Sequence, residues 1–123
     1  MPFEITTTRR FSAAHQLRLY DGSLEPLHGH NWRVKVTVAS ADVDAIGVVM
    51  DFHELERLVD AVLSRLHNRH LNEVPPFTSL NPSAENVAVH VGQSLGNANL
   101  PAGVAFLSAE VWETDDNSAV YRV

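Results

Sequence analysis

From His28 to Val38 the chain alternates between two sets of residues, and this alternation leaves few possible folds. One set is His28, His30, Trp32, Val34, Val36 and Val38. The residues between them include Arg33, Lys35 and Thr37. Because successive side chains of a strand point to opposite faces, the pattern predicts a strand with one buried face. The residues from Phe3 to His15 also alternate, with a mostly apolar set, and predict a second half-buried strand.

Two later stretches have the spacing of amphipathic helices. Asp51 followed by Glu54 resembles a capping box. The apolar residues after it recur at helical spacing, as Leu55, Leu58, Val59, Val62, Leu63 and Leu66. In the second stretch Asn81 is the predicted N-cap and Pro82 the first helical residue, and the helix is expected to end near Gly96.

The segments VAFLSAEVWET and AVYRV, near the end of the chain, predict two further strands. The first is expected to place one set of residues on the same face: Ala105, Leu107, Ala109, Val111 and Glu113. Strands at both ends of the chain with helices between them indicate an α+β fold, with an antiparallel sheet and segregated helices. The length of 123 residues predicts a single domain, residues 1–123.

Composition excludes several classes of protein. The net charge is −6 and the Lys and Arg residues are scattered, which argues against a nucleic-acid partner. No apolar run approaches the roughly 18 residues of a membrane span, so no membrane partner is expected. There is no cysteine, and hence no disulfide, thiolate metal site or cysteine nucleophile. With no secretory signal, the chain is expected to be cytoplasmic.

The histidines suggest a metal site. His28 and His30 are two residues apart on a predicted strand, so their imidazoles lie on one face, and His15 ends the apolar face of the other strand. A catalytic zinc ion typically has three protein ligands and an open fourth position. Ordinary core or surface histidines are the alternative, and the spacing does not distinguish a hydrolase, a hydratase and a lyase. Glu113 ends an apolar strand face, either as a buried partnered carboxylate or as an exposed strand end.

Several motifs together resemble the 6-pyruvoyltetrahydropterin synthase and 6-carboxytetrahydropterin synthase family. They occur in the family's order and spacing over nearly the whole chain: FSAAH, LHGHNW, GVVMDFHEL, LN, NPSAEN and VWET. The resemblance implies a T-fold, in which a four-stranded antiparallel sheet has two helices on one face. It also implies a homo-oligomer, in which trimers close into barrels and usually pair into hexamers, with active sites between subunits.

The same resemblance implies roles for individual residues. His15, His28 and His30 would bind Zn²⁺. Glu113 would anchor the ring of a small-molecule pterin substrate, whose neighbouring N–H donors suit a carboxylate. Groups around the start of the second helix would help, namely Ser83, Ala84 and Glu85.

The chain departs from the family in its proton-transfer residues. Gly22 and Leu24 stand where the family's cysteine base would fall, and the family's Asp-His pair is replaced by His67 and Asn68. Glu25, three residues before His28, matches a subgroup that resembles enzymes cleaving 7,8-dihydroneopterin to a 6-hydroxymethyl product, an entry to folate. Glu25 and His67 are therefore the predicted catalytic acid–base residues. The alternative for Glu25 is an exposed loop carboxylate. The alternative for His67 is a residue at a helix C-terminus, where the helix dipole favours an imidazole.

These observations predict a zinc-dependent carbon–oxygen or carbon–carbon lyase that acts on 7,8-dihydroneopterin or its triphosphate. Two alternatives remain. One is a paralogue that binds zinc and a pterin with little or no turnover, since the usual catalytic residues are absent. The other is a three-histidine hydratase or a cupin-like protein. A cupin would carry a glutamate soon after its H-x-H motif, and NWRVKVTV follows His30 here.

Overall fold

The computed structural model describes all residues, 1–123. In chain order the elements are β1 (Phe3–His15), β2 (His28–Ser40), α1 (Phe52–Leu63), β3 (Arg69–His70), a short 3-10 helix (Leu71–Glu73), α2 (Ala84–Gly96), β4 (Val104–Trp112) and β5 (Ser118–Arg122). Neither α1 nor α2 combines the length and the apolar character that a membrane-spanning helix requires. The predicted α+β class is confirmed.

The sheet has five strands in the order β3-β1-β2-β4-β5, so the prediction of four strands is wrong by one short strand. β1 and β2 pair antiparallel along their whole lengths, with His15 opposite His28 and Ala13 opposite His30. The extra strand, β3, has only two residues and pairs parallel to the end of β1. Asn68 makes this possible, because its positive φ of 59° turns the chain and its backbone N–H donates to the Ser12 carbonyl, 2.6 Å away.

A β-bulge changes the predicted face of β4. Thr37 of β2 lies opposite Ser108, but its neighbour Val38 lies opposite Phe106, so Leu107 is an extra residue on β4. Phe106 therefore points into the core and is only 8% exposed. The prediction that Ala105 and Leu107 share the face of Ala109 and Val111 is wrong, because a strict count of two cannot detect an inserted residue.

The helix starts differ in how well they were predicted. Asp51 is the N-cap of α1, as predicted, and its carboxylate accepts a hydrogen bond from the His53 backbone N–H. The predicted capping box does not form, because the Glu54 carboxylate bonds to Arg57 instead. The predicted N-cap of α2 is wrong. Ser83 takes that position, with its hydroxyl oxygen accepting from the Asn86 backbone N–H at 3.1 Å. Asn81 instead bonds through its side chain to both the N–H and the C=O of Arg18.

One apolar core lies between the sheet and the two helices. α1 packs on β1, and α2 packs on β4 and β5. From β2 the core receives four side chains with no exposed surface: Trp32, Val34, Val36 and Val38. Full burial of a valine contributes about 1.5–3 kcal/mol, so this strand is a large part of the folding free energy. It also fixes the start of β2, where two of the histidines lie.

Candidate metal centre

Three histidines and one glutamate converge at the end of the sheet where β1 finishes and β2 begins. The possible ligand atoms of His15, His28, His30 and Glu113 all lie within 4.8 Å of one another. The β1–β2 register brings His15 beside His28. Glu113 directly follows β4, the strand on the other side of β2. Sequence alternation predicted the grouping of the three histidines, whereas Glu113 was expected from the family resemblance as a pterin anchor and not as a member of this cluster. We call the four residues the metal group.

The distances within the metal group are short. Oε1 of Glu113 lies 2.9 Å from Nε2 of His15, 3.0 Å from Nε2 of His30 and 3.9 Å from Nε2 of His28. The Nε2 atoms of His15 and His28 are 3.1 Å apart. All three histidines therefore direct the same ring nitrogen toward one point.

Backbone carbonyls fix the ring orientation of two of these histidines. Nδ1 of His15 lies 2.7 Å from the Pro82 carbonyl oxygen, and Nδ1 of His28 lies 2.8 Å from that of Pro26. A carbonyl oxygen only accepts hydrogen bonds, so each Nδ1 carries the proton and donates it. In the neutral imidazole the inward Nε2 then has a free lone pair, which is the tautomer that a metal ligand requires.

His30 has no such carbonyl partner, and its hydrogen bonding differs from that of the other two histidines. Its Nε2 is buried and has no hydrogen-bond partner, because the nearby Glu113 oxygen lies outside hydrogen-bond geometry. Burial lowers the pKa of His30, although the charge of Glu113 opposes that shift. A neutral imidazole whose buried Nε2 makes no hydrogen bond has a lone pair available to a cation.

The buried indole of Trp32 packs against two of the histidine rings. Trp32 has no exposed surface and contacts the rings of His15 and His30 edge to face, with centroids 4.9 and 5.6 Å apart. Its Nε1–H donates to the Ala13 carbonyl at 3.2 Å, which fixes the indole between the two strands. The rings are therefore held by packing as well as by hydrogen bonds.

Together these contacts fit Zn²⁺. Neutral imidazole nitrogens and a carboxylate oxygen are common ligands of this ion, and three histidines are a typical catalytic set. The lone pairs of His15 and His28 are directed inward, and the unpaired Nε2 of His30 completes the set. Glu113 is placed either to provide a fourth ligand or to present its carboxylate to a molecule bound beside the metal.

Glu25 reaches the rim of the metal group. Its Oε1 accepts a hydrogen bond from the Leu17 backbone N–H at 2.9 Å and lies 3.9 Å from Nε2 of His28. A second hydrogen bond joins the Glu25 N–H to the Leu17 carbonyl. The loop between β1 and β2 thus holds this carboxylate beside one histidine, with about a quarter of the side chain exposed.

His67 lies elsewhere in the chain. Its Nδ1 accepts a hydrogen bond from the Ser12 backbone N–H at 3.0 Å, at the edge of the sheet, and the residue is exposed. None of its recorded contacts reaches the metal group. A catalytic role for His67 stays a prediction.

The start of α2 adjoins the metal group through one backbone atom. Pro82, whose carbonyl orients His15, immediately precedes the N-cap Ser83, and Ala84 and Glu85 form the first turn. Sequence reasoning did not identify the carbonyls of Pro26 and Pro82, because every residue carries a carbonyl and only the folded loops show which one faces a histidine. The only sequence signal for these carbonyls is that Pro26 lies close to the H-x-H motif and Pro82 lies within NPSAEN.

Comparisons with known proteins give a consistent result. Residues 4–123 match the family model described as 6-pyruvoyl tetrahydropterin synthase. The chain is 37% identical over 97 residues to the 6-pyruvoyl tetrahydrobiopterin synthase of Homo sapiens, an alignment that covers 77% of this chain and 66% of the human protein. It is 33% identical to the dihydroneopterin monophosphate aldolase of Pyrococcus furiosus, with 86% and 85% covered. The solved structure of Caenorhabditis elegans 6-pyruvoyl tetrahydropterin synthase superposes with a TM-score of 0.85 at 26% identity, covering 98% of this chain and 95% of the other.

Proposed function

Because the chain belongs to the 6-pyruvoyl tetrahydropterin synthase family, we propose that it is a zinc-dependent lyase acting on the side chain of a dihydropterin. The substrate is 7,8-dihydroneopterin or a phosphate ester of it, and the product carries a 6-hydroxymethyl group. The observation that carries this proposal is the position of Glu25, whose carboxylate lies 3.9 Å from a histidine of the metal group. The Pyrococcus furiosus relative, named as an aldolase, supports carbon–carbon cleavage.

His15, His28 and His30 would hold the ion in this proposal. Bound zinc supplies Lewis acidity, which lowers the pKa of a coordinated hydroxyl group. The Nδ1 hydrogen bonds to Pro26 and Pro82 keep two of the imidazoles in the ligating tautomer.

Glu113 anchors the pterin ring in the proposed complex. Its side chain is about one-third exposed, so a ligand can reach the carboxylate. Two parallel hydrogen bonds from the 2-amino and ring N–H groups of a pterin would match its two oxygens. Ser83, Ala84 and Glu85 at the start of α2 would provide further contacts to the ring, because Pro82 joins this turn to the metal group.

Glu25 is the proposed base. The carboxylate takes the proton from the C2′ hydroxyl, and the C1′–C2′ bond breaks as the C2′ oxygen becomes an aldehyde. The electron pair left on C1′ delocalises into the adjacent C6=N5 bond, and a proton returned to C1′ yields the 6-hydroxymethyl product and a two-carbon aldehyde. The reaction is redox-neutral. The Leu17 N–H that bonds to Glu25 holds the carboxylate in place during the transfer.

We also propose that the chain assembles into a trimer or hexamer with active sites between subunits. β5 is an edge strand, and β1 pairs on its outer side only through Ala13 and Ala14. Long unpaired edges are suited to sheet extension by another copy. Light scattering coupled to size exclusion gives the mass directly, and a mass near 14 kDa would contradict this part of the proposal.

The test is to incubate the zinc-loaded protein with 7,8-dihydroneopterin and, separately, with its monophosphate and triphosphate, and to resolve the products chromatographically. A 6-hydroxymethyl product that disappears in Glu25→Gln supports the proposal. Glu73→Gln, at a mostly exposed carboxylate outside the metal group, is the matched control and should keep the activity. Tight pterin binding without any product would instead favour the non-catalytic paralogue.

A further inference from the structure

The three residues that follow β1 are held by two asparagine side chains. Oδ1 of Asn72 accepts a hydrogen bond from the Gln16 backbone N–H at 3.0 Å, and the Asn72 amide N–H₂ donates to the Gln16 carbonyl at 2.8 Å. Asn81 makes the same pair of hydrogen bonds with Arg18, at 2.7 and 3.1 Å. Each asparagine thus pairs with the backbone as a neighbouring strand would. We call Asn72 and Asn81 the amide clamp.

Leu17 lies between the two clamped residues and bonds to Glu25. Its N–H donates to Oε1 of Glu25 at 2.9 Å, and its carbonyl accepts from the Glu25 backbone N–H at 3.0 Å. In an extended chain the backbone groups of successive residues point to alternate sides. Because the amide clamp holds Gln16 and Arg18 from one side, the Leu17 N–H is directed to the other side, toward Glu25.

The amide clamp is itself fixed by the fold. Asn72 lies in the short 3-10 helix directly after Leu71, which has no exposed surface. The Asn81 carbonyl accepts a hydrogen bond from the Asn86 side chain at 2.9 Å. The guanidinium of Arg18 donates to three carbonyls of the segment before Asn81, those of Phe77, Thr78 and Leu80. Both asparagines are therefore held in place before any substrate binds.

The Glu25 carboxylate depends on this support, because the Leu17 N–H is the only group in the chain that donates a hydrogen bond to it. The nearest histidine nitrogen, Nε2 of His28, is 3.9 Å away, beyond hydrogen-bond distance. Oε2 of Glu25 makes no hydrogen bond and is available to a bound molecule. Displacing a reacting group by about 1 Å can lower a rate roughly a hundredfold. The direction of one backbone N–H therefore determines where the proposed base lies.

We propose that Asn72 and Asn81 are positioning residues for Glu25. They hold residues 16–18 so that the Leu17 N–H keeps the carboxylate beside the metal group, and neither asparagine contacts the substrate. The effect on catalysis rests on the proposed function, whereas the effect on the Leu17 N–H does not. The experiment therefore has one measurement for each.

The first measurement is the steady-state kinetics of the zinc-loaded protein with 7,8-dihydroneopterin. Asn72→Ala should lower kcat about tenfold to a hundredfold and leave KM within about threefold, because the base moves and the ring anchor does not. Asn99→Ala is the matched control, since Asn99 is exposed and its side chain makes no hydrogen bond. Asp51→Ala removes the N-cap of α1 and lowers stability away from the amide clamp. Both controls should keep the wild-type kcat.

Zinc affinity, measured by competitive titration, should stay within about threefold of wild type in Asn72→Ala. His15 keeps its Pro82 carbonyl and its position opposite His28 in this variant. A large loss of zinc would mean that Asn72 supports the metal group rather than the base, and would overturn the proposal.

The second measurement is amide hydrogen exchange followed by NMR, which needs no substrate. In Asn72→Ala and in Asn81→Ala the Leu17 N–H should exchange at least about tenfold faster than in wild type. Val34, in the core part of β2, is the reference for global unfolding, and its exchange should change less than that of Leu17. Wild-type exchange of Leu17, or equal acceleration of both amides, would show that the amide clamp does not hold this segment.

The kinetic outcomes separate positioning from other roles. A higher KM with unchanged kcat would make Asn72 a binding residue, and a loss of kcat of the same size in Asp51→Ala would attribute the effect to stability. Either result would overturn the proposal. Absence of turnover in wild type would contradict the proposed function instead, and the exchange of Leu17 alone would then decide whether the amide clamp directs its N–H. Circular dichroism of each variant confirms that it is folded.

Discussion

Glu113 is the residue whose role most affects the chemistry of the metal group. Its carboxylate lies 2.9 and 3.0 Å from two histidine nitrogens, a position open to a metal ligand and to a pterin anchor. As an anchor, Glu113→Gln should weaken pterin binding about tenfold to a hundredfold, because the amide cannot accept two hydrogen bonds. Zinc content should stay at one ion per chain. Fluorescence titration and elemental analysis measure the two effects, and loss of zinc with unchanged pterin affinity would make Glu113 a ligand instead.

His90 is a half-buried histidine outside the metal group, and it should make the free energy of unfolding depend on pH. It packs against Phe77, and burial lowers its pKa, with a smaller effect in the same direction from the charge of Arg65. The unfolded chain therefore binds a proton below about pH 6.5 that the folded chain does not take up until lower pH. Stability should thus fall as pH decreases from 7.5 to 5.5. In His90→Gln the free energy of unfolding, measured by urea denaturation, should fall less steeply as the pH decreases. His53→Gln, at an exposed histidine, should match wild type. The same pH dependence of the unfolding free energy in wild type and both variants would contradict the prediction.

At the level of single elements, the N-cap of α1 gives a measurable contribution. The Asp51 carboxylate accepts from the His53 N–H at 2.8 Å, which satisfies one of the free N–H groups of the first turn. Asp51→Ala should lower the free energy of unfolding by about 1 kcal/mol. Asp42→Ala removes an exposed carboxylate that makes no hydrogen bond and should have little effect. Thermal or urea unfolding compares the two variants. Equal decreases in the free energy of unfolding would mean that the cap contributes nothing.

The elements also show what a sequence pattern can and cannot reveal. β1, β2 and α1 were predictable because each has a long, regular period and, for α1, a capping residue directly before it. The predicted face of β4 was wrong because of the bulge at Leu107, since a bulge cannot be recognised from residue composition. Asn81 and Ser83 are both good N-caps, and the contact of Asn81 with distant Arg18 decided between them. β3 depends on one residue with positive φ and was not predictable from periodicity.

Across the whole molecule, the metal group depends on contacts between distant segments. His15, His28 and His30 come together because two adjacent strands pair in register, which alternation can predict. The Pro82 carbonyl that orients His15 belongs to the start of α2, 67 residues away in sequence. The position of that helix on the sheet therefore affects the tautomer of a metal-group histidine, and this link is visible only in the folded chain.

Gly92 tests this link, because α2 packs there directly against side chains of β4 and β5. A Cβ atom there would lie 2.5 Å from the Tyr121 ring and 2.9 Å from the Phe106 ring, so the helix or the two rings would have to shift. Gly92→Ala should lower the free energy of unfolding by about 1–3 kcal/mol. It should also weaken zinc binding, since any shift of the helix carries Pro82 with it. Gly96→Ala is the control, because a Cβ there meets no atom within 4 Å, and it should be neutral or stabilise by up to about 1 kcal/mol. Urea denaturation and competitive zinc titration of both variants measure the two effects. A destabilised Gly92→Ala with wild-type zinc affinity would contradict the expected weakening of zinc binding.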